Sequence, residues 1–340
     1  MPGTRALPGA VAVDFTPDGR RARSIDRRMR AILGDSLNHL AEQAGHLIPD
    51  RVDRLRWLAS RLEAGERLAP EIFGQFADAC VPLAQGDITR GAMLLAELAD
   101  SGAAGWRAPH AEILALDAPQ LSGQRNRFER LMNFTGDWGI AAPDAEQIAG
   151  FEAQLEQALE LMARAAPELL AEHEALVRQL ILVSDSPEST YRFDGGSCYM
   201  LWGALFLNLA RPRSPVSLVE VITHETSHLL LFGFASDEVL VHNEDSERYP
   251  SPLRDEPRPM DGIYHATFVS ARMHWAMTAL LDSGLLDAEA RSDALRRLAT
   301  DAENFAAGDS VVRRHGRLST TGEAVMRGAR DYMAAVGAIA

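Results

Sequence analysis

The 340-residue chain has no lysine; its 34 lysine-plus-arginine positions are all arginine. That excludes a P-loop lysine, a Schiff base to pyridoxal phosphate or an aldol substrate, and a Ser–Lys dyad. Cysteine is scarce as well. Cys80 and Cys198 are too few for a disulfide framework or a thiolate zinc site, and they fit a reducing compartment. No apolar run approaches the roughly 18 residues that a membrane-spanning helix needs. The early arginines are not followed by the apolar core of a secretory signal. The expected location is therefore the cytoplasm. Positive charge is in deficit, with 34 basic against 48 acidic residues and a net charge of −14. Such a field repels phosphate backbones and anionic lipid, so the expected partners include no nucleic acid and no membrane. A neutral or basic peptide segment suits it better.

What the chain does contain is helical pattern. Residues 1–20, rich in Gly and Pro, read as an irregular N-terminal arm. From about 22 to 165 the periodicity is helical throughout, with breaks near Pro49, Gly65, Pro70, Gly86, Gly105 and Pro143. Two long amphipathic helices are expected at 145–165 and 167–180. Short buried strands are expected at 179–184 and 205–209, around a Gly-rich turn at 194–197. A helix at about 215–232, a Pro-rich charged loop at 242–261, and helices at about 262–283, 287–306 and 319–338 complete the chain. The expected fold is predominantly α (α+β). A helical region over 21–143, suited to binding a substrate or leader peptide, precedes a helix-rich metal-binding domain with a small β-sheet over 144–340.

The chemistry sits in His224-Glu225-Thr226-Ser227-His228, an HExxH sequence. Ser214 and Pro215 read as a helix start, with Ser217 and Glu220 as a capping box one turn on. Val216, Leu218, Val219, Val221 and Ile222 make the helix strongly apolar. Four residues apart, His224 and His228 share a face and can hold one metal ion; Glu225, about 100° round, reaches the same neighbourhood. The plain alternative is a chance match among ten histidines. Against it, two histidines and a glutamate on a buried helix each need a polar partner, and a metal supplies one.

A third ligand has several candidates. The metzincin continuation is absent, since Leu231 and Phe234 stand where its glycine and third histidine belong. Glu244 and Glu247 fall near the spacing of the thermolysin-like glutamate, but their segment is short, charged and followed by prolines, so they read as solvated loop acids. His265, at the start of an apolar helix, is the stronger candidate. His242 lies in an acidic loop, and His274 faces the opposite side of its helix from His265. Arg272, seven residues beyond His265, lies on its face about 10 Å away and can hold a carboxylate bidentately or form a salt bridge.

His224–His228, taken with the block from Glu247 to Pro259 (ERYPSPLRDEPRP), Gly262 and His265, resembles the HExxH-motif peptide-modification family found beside ribosomally made peptide natural products. The resemblance covers roughly residues 180–285. It implies an iron(II)- and 2-oxoglutarate-dependent oxygenase that uses O₂ to hydroxylate the β-carbon of a residue in a precursor peptide. His224, His228 and His265 would be the ligands, leaving three octahedral positions for the keto acid and O₂. Leu253 departs from the aromatic residue expected there. With lysine absent, an arginine or a hydroxyl must anchor the far carboxylate of 2-oxoglutarate. Arg254, Arg258 and Arg272 are the cofactor-binding candidates, with Tyr249 and Ser251 as supporting donors. Glu225 would orient a ligand or a water.

Two other readings stay open. In a zinc metallopeptidase, Glu225 would be the general base and His265 or an acid at 244–247 the third ligand. A peptide-binding module without chemistry is the other, though it would be free to lose any of the His-Glu-His triplet.

Overall fold

The computed structural model describes residues 12–101, 110–133, 139–189, 192–211, 213–254 and 256–339. The break expected at Gly105 lies outside them. The described residues are predominantly helical with one small mixed sheet, the expected α+β class. No helix among them is long and apolar enough to cross a membrane. The chain divides into two compact units. One comprises Arg23–Pro143 and Leu176–Ala210, the other Val11–Ala22, Asp144–Ala175 and Arg211–Ala340.

The first unit carries most of α1 (Gly19–Ala44), then α2 (Val52–Glu63), α3 (Glu71–Ala84), α4 (Ile88–Asp100) and α5 (Arg125–Met132). Leu33, Leu37, Leu55, Leu58, Leu62, Ile72, Leu95 and Leu98 recur at helical spacing on α1–α4 and close into one apolar cluster. The region is not helical throughout. Strand β1 (Glu112–Ala115) and the two-residue β2 (Ile140–Ala141) interrupt it. Both pair with β3 (Gln179–Asp185), β1 in parallel from Glu112 opposite Gln179, and β2 antiparallel. β3 also runs parallel to β5 (Ala204–Asn208). The expected Gly-rich turn contains a strand instead, β4 (Gly195–Ser197), antiparallel to β5. Glycine has little strand propensity, so this pairing is decided by the neighbouring strand. Ile181, Val183 and Phe206 from the sheet meet Phe128 and Leu131 of α5 in a second apolar cluster.

The second unit is helical: α6 (Ala145–Ala165), α7 (Pro167–Leu176), α8 (Pro215–Phe234), α9 (Met260–Asp282), α10 (Ala288–His315) and α11 (Thr320–Ala335). α6 opens with the Asp144–Gln147 capping box, both arms present. α7 ends at Leu176, short of the expected 180, and the chain from Gln179 enters the sheet. α10 runs past the expected 306 because Gly308 packs its bare Cα against Thr267 of α9, and Arg313, Arg314 and His315 favour the negative C-terminal end. The segment before α1 is tied down at Phe15, whose ring meets Phe268 edge-on at 5.9 Å and stacks on Tyr332 at 4.9 Å.

Candidate metal centre

α8 begins where expected but with a different cap. Ser214 accepts from the Ser217 amide at 3.0 Å, Pro215 fills the first turn, and the Ser217 hydroxyl returns to the Ser214 carbonyl. Glu220 takes no part in a capping box; it pairs with Arg297 of α10. Buried hydroxyls along α8 are satisfied within the helix, Thr223 donating to the Val219 carbonyl and Ser227 to that of Thr223, each at 2.7 Å.

One face of α8 presents His224 and His228, and α9 packs alongside with His265 in its second turn. The three rings converge. His228 Nε2 lies 3.1 Å from His224 Nε2, and His228 Nδ1 lies 3.0 Å from His265 Nδ1. Phe232, one turn beyond His228, stands 5.6 Å from the His265 ring and shields this side of the cluster. Burial, followed by the proximity of His224 and His265, holds the His228 pKa well below its ordinary value of 6.5. The ring is therefore neutral, the form that ligates metal. His228 meets its neighbours through different nitrogens, and among the described residues no group of three or more His, Cys, Asp or Glu is arranged to hold one ion. Glu225 is buried beside the cluster, with Oε1 3.8 Å from His224 Nε2.

His242 is exposed in a loop bridged to the chain before α11, where its amide donates to the Arg317 carbonyl. His274 is buried away from the cluster, 2.9 Å from the Tyr332 hydroxyl. Glu247 accepts from Tyr249, Arg317 and Asn243, which hold its pKa down to about 2. Glu244 is exposed. Tyr249 and Ser251 are both engaged locally, Tyr249 with Glu247 and Ser251 as acceptor for the Leu253 amide.

The three arginines differ. Arg272 is sealed in the core of its unit, paired with fully buried Glu172 and donating to the Phe15 carbonyl at 2.5 Å. A carboxylate of the protein thus already occupies this one of the three candidate guanidinium groups, the salt bridge that was the alternative reading of Arg272. Arg254 is half-buried and has polar contacts of its own. Arg258 exchanges both backbone hydrogen bonds with Tyr249, closing the loop ahead of α9. Its side chain lies along Gly262, where an added Cβ would sit 3.8 Å from Nε, one helical turn before His265. Its guanidinium has no polar side-chain contact among the described residues.

Sequence reasoning missed the support behind the motif. Glu172 and His173 are neighbours on α7, and each holds a different helix: Glu172 binds Arg272 of α9, while His173 Nδ1 lies 2.9 Å from Thr226 Oγ1 on the rear of α8. Nothing local in PELLAEHEAL marks these two as buried, because their partners lie 53 and 100 residues away. No protein-family model matches the chain, and no curated protein does either.

Proposed function

We propose that the chain is an iron(II)- and 2-oxoglutarate-dependent oxygenase that hydroxylates the β-carbon of a residue in a ribosomally made precursor peptide in the cytoplasm. The observation that carries the reading is the convergence of His224, His228 and His265, two nitrogen contacts of 3.0 and 3.1 Å, on adjacent helices. Neighbouring ligands on one octahedral ion at about 2.1 Å are separated by about 3 Å, so the spacing suits the donor set. A common ion requires each ring to give it one nitrogen. The His228 or His265 ring must therefore turn from the orientation seen here.

Iron(II), with 2-oxoglutarate and O₂, would replace a C–H hydrogen with hydroxyl, one oxygen atom going to the substrate and the other to the keto acid, which would leave as succinate and CO₂. The protein's own part is to hold and orient. His224, His228 and His265 would be the ligands, and Glu225 would orient His224 or a water. Arg258 is the best placed of the three arginines to clamp the far carboxylate, since its guanidinium has no competing acid among the described residues and its side chain lies along Gly262, one turn before His265. Phe232 keeps one side of the site apolar.

A zinc metallopeptidase is the second reading, favoured by the buried Glu225 carboxylate beside His224, where a general base would stand. Anaerobic titration of the apoprotein with iron(II) and then 2-oxoglutarate separates the two. The oxygenase gives a visible charge-transfer band that oxygen abolishes, whereas tight zinc retention without the band selects the peptidase. His265→Ala is expected to abolish metal retention and His242→Ala to leave it intact; full occupancy in the His265 variant overturns the ligand set.

A further inference from the structure

Within the first unit, four side chains with unanswered oxygens stand where α3 meets the first residues of β1 and β3. Two are acids, Glu71 in the first turn of α3 and Glu112 at the start of β1. Two are amides, Gln75 and Gln179, each 4% exposed. Among the described residues, Glu71 Oε2, Gln75 Oε1 and Gln179 Oε1 are buried atoms without a hydrogen-bond partner. The half-buried Glu112 side chain has no ion pair or hydrogen bond with a described residue either. Buried acceptors are normally paired, so three orphans in one unit call for a ligand that brings positive charge to them.

The backbone brings the four together. β1 and β3 run parallel with Glu112 opposite Gln179, so the two side chains leave the same face of the sheet. Further along that face, Leu114, Ile181 and Val183 enter the apolar cluster that holds Leu131 and Leu201. α3 covers the same cluster: a Cβ at Gly74 would stand 3.0 Å from Leu201 Cδ2 and 3.1 Å from Leu131 Cδ1. Gln75 is the next residue, and Glu71 lies one turn before it on the same face of α3. The residue that opens this helix, Pro70, lies beside Gly203, where a Cβ would stand 3.5 Å from the proline Cγ. The Gly203 carbonyl in turn accepts the Gln179 amide at 3.1 Å.

The two acids feel each other. Burial, the largest cause, and the charge of Glu112 raise the Glu71 pKa, against the pull of its own backbone amide and of Arg127. Arg127 does not neutralise the pair, because its guanidinium is bound to Asp78 and Glu97.

The geometry points to a cation site formed by Glu71, Gln75, Gln179 and Glu112, suited to a hard divalent ion of the calcium or magnesium class. All four offer oxygen, two carboxylates match a divalent charge, and amide oxygens are regular ligands of calcium. The set holds no imidazole or thiolate, which separates its preference from that of the histidine cluster. Such an ion would tie the start of α3 to the first residues of β1 and β3. The site does not rest on the oxygenase reading, since it uses none of the same residues.

The test measures thermal stability of the chelator-treated full-length protein in calcium chloride and in magnesium chloride, each against choline chloride at matched ionic strength. Binding to the folded state raises Tm saturably, by about 3 °C at ten times the dissociation constant. Glu112→Gln, at a half-buried position, removes one carboxylate and is expected to weaken the effect at least tenfold. Glu71→Gln is expected to do the same; if it does not fold, Glu112→Gln decides alone. A response to calcium alone or magnesium alone names the ion, and a response to both leaves the shared class; all three support the site. No shift beyond choline chloride in the unaltered protein means that the four side chains satisfy one another, an amide turning to donate to Glu71, and overturns the site. An equal shift in Glu112→Gln places the ion elsewhere and overturns it too.

Discussion

Glu172 in one unit and Asp26 in the other are both carboxylates enclosed by arginines, yet the two surroundings differ in balance and in access. Glu172 is fully buried and receives Arg21 and Arg272, both nearly sealed from solvent, with Arg272 also fixed to the Phe15 carbonyl. Those contacts join the segment before α1, α7 and the helix that bears His265. Asp26 gathers three arginines and an indole, and one of the arginines reaches solvent. A closed cluster acts as a bolt. The other leaves one guanidinium, that of Arg67, partly open to solvent. Accessibility, more than the number of ion pairs, separates the two, because a buried pair contributes little net stability until one partner is removed.

The largest expected effect breaks the bolt. Glu172→Leu leaves Arg21 and Arg272 buried without their shared carboxylate and is expected to cost about 3–5 kcal/mol in denaturant unfolding. Phosphate should not rescue it, since both guanidinium groups are nearly sealed from solvent. Rescue by phosphate would show that solvent reaches the Glu172 cluster and that it is not closed.

A second effect, in the same unit as Glu172, is read by pH. Burial lowers the His274 pKa from 6.5 to about 4, so the folded state favours the neutral ring. Its contribution is fully present above about pH 6.5 and is lost as pH falls toward 4, about 3 kcal/mol over that interval. His274→Gln removes that limb from the stability profile. An unchanged acid limb in the variant would assign the pH dependence to carboxylates instead.

The smallest effect is at the start of α8. Ser214→Ala removes the hydroxyl that accepts from Ser217 and should cost about 1 kcal/mol with little change in metal affinity. The reason is that α8 is buried along nearly its whole length and is anchored from behind at Thr226. A large loss of metal affinity would show that the cap, and not the packing, sets the rotation of the histidine face.

Much of the second unit was legible from residue order. α6 was expected at 145–165 and spans those residues, since a capping box and an unbroken apolar stripe are local signals. His224 and His228 share a face because helical spacing alone requires it. His265 is a different matter: its helix was legible, but its meeting with His228 depends on how α9 packs on α8. Arg272 illustrates the limit. Its helical face relative to His265 could be counted, whereas Glu172, which takes its guanidinium, lies 100 residues away. β1 and β2 were hidden for a related reason, being four and two residues long and stabilised by pairing with β3.

The sequence by itself determined the helical class, the absence of lysine chemistry, and the His-Glu-His face on an apolar helix. Each follows from composition or from the 3.6-residue period, which act over a few turns. The tertiary structure alone decided which third histidine joins that face, which arginine is already taken, where the short strands pair, and that three arginines gather on Asp26. Most of these depend on contacts between residues distant in sequence, 37 positions apart for His228 and His265 and 152 for Asp26 and Arg178, where no local propensity acts and packing together with charge neutralisation selects the partner.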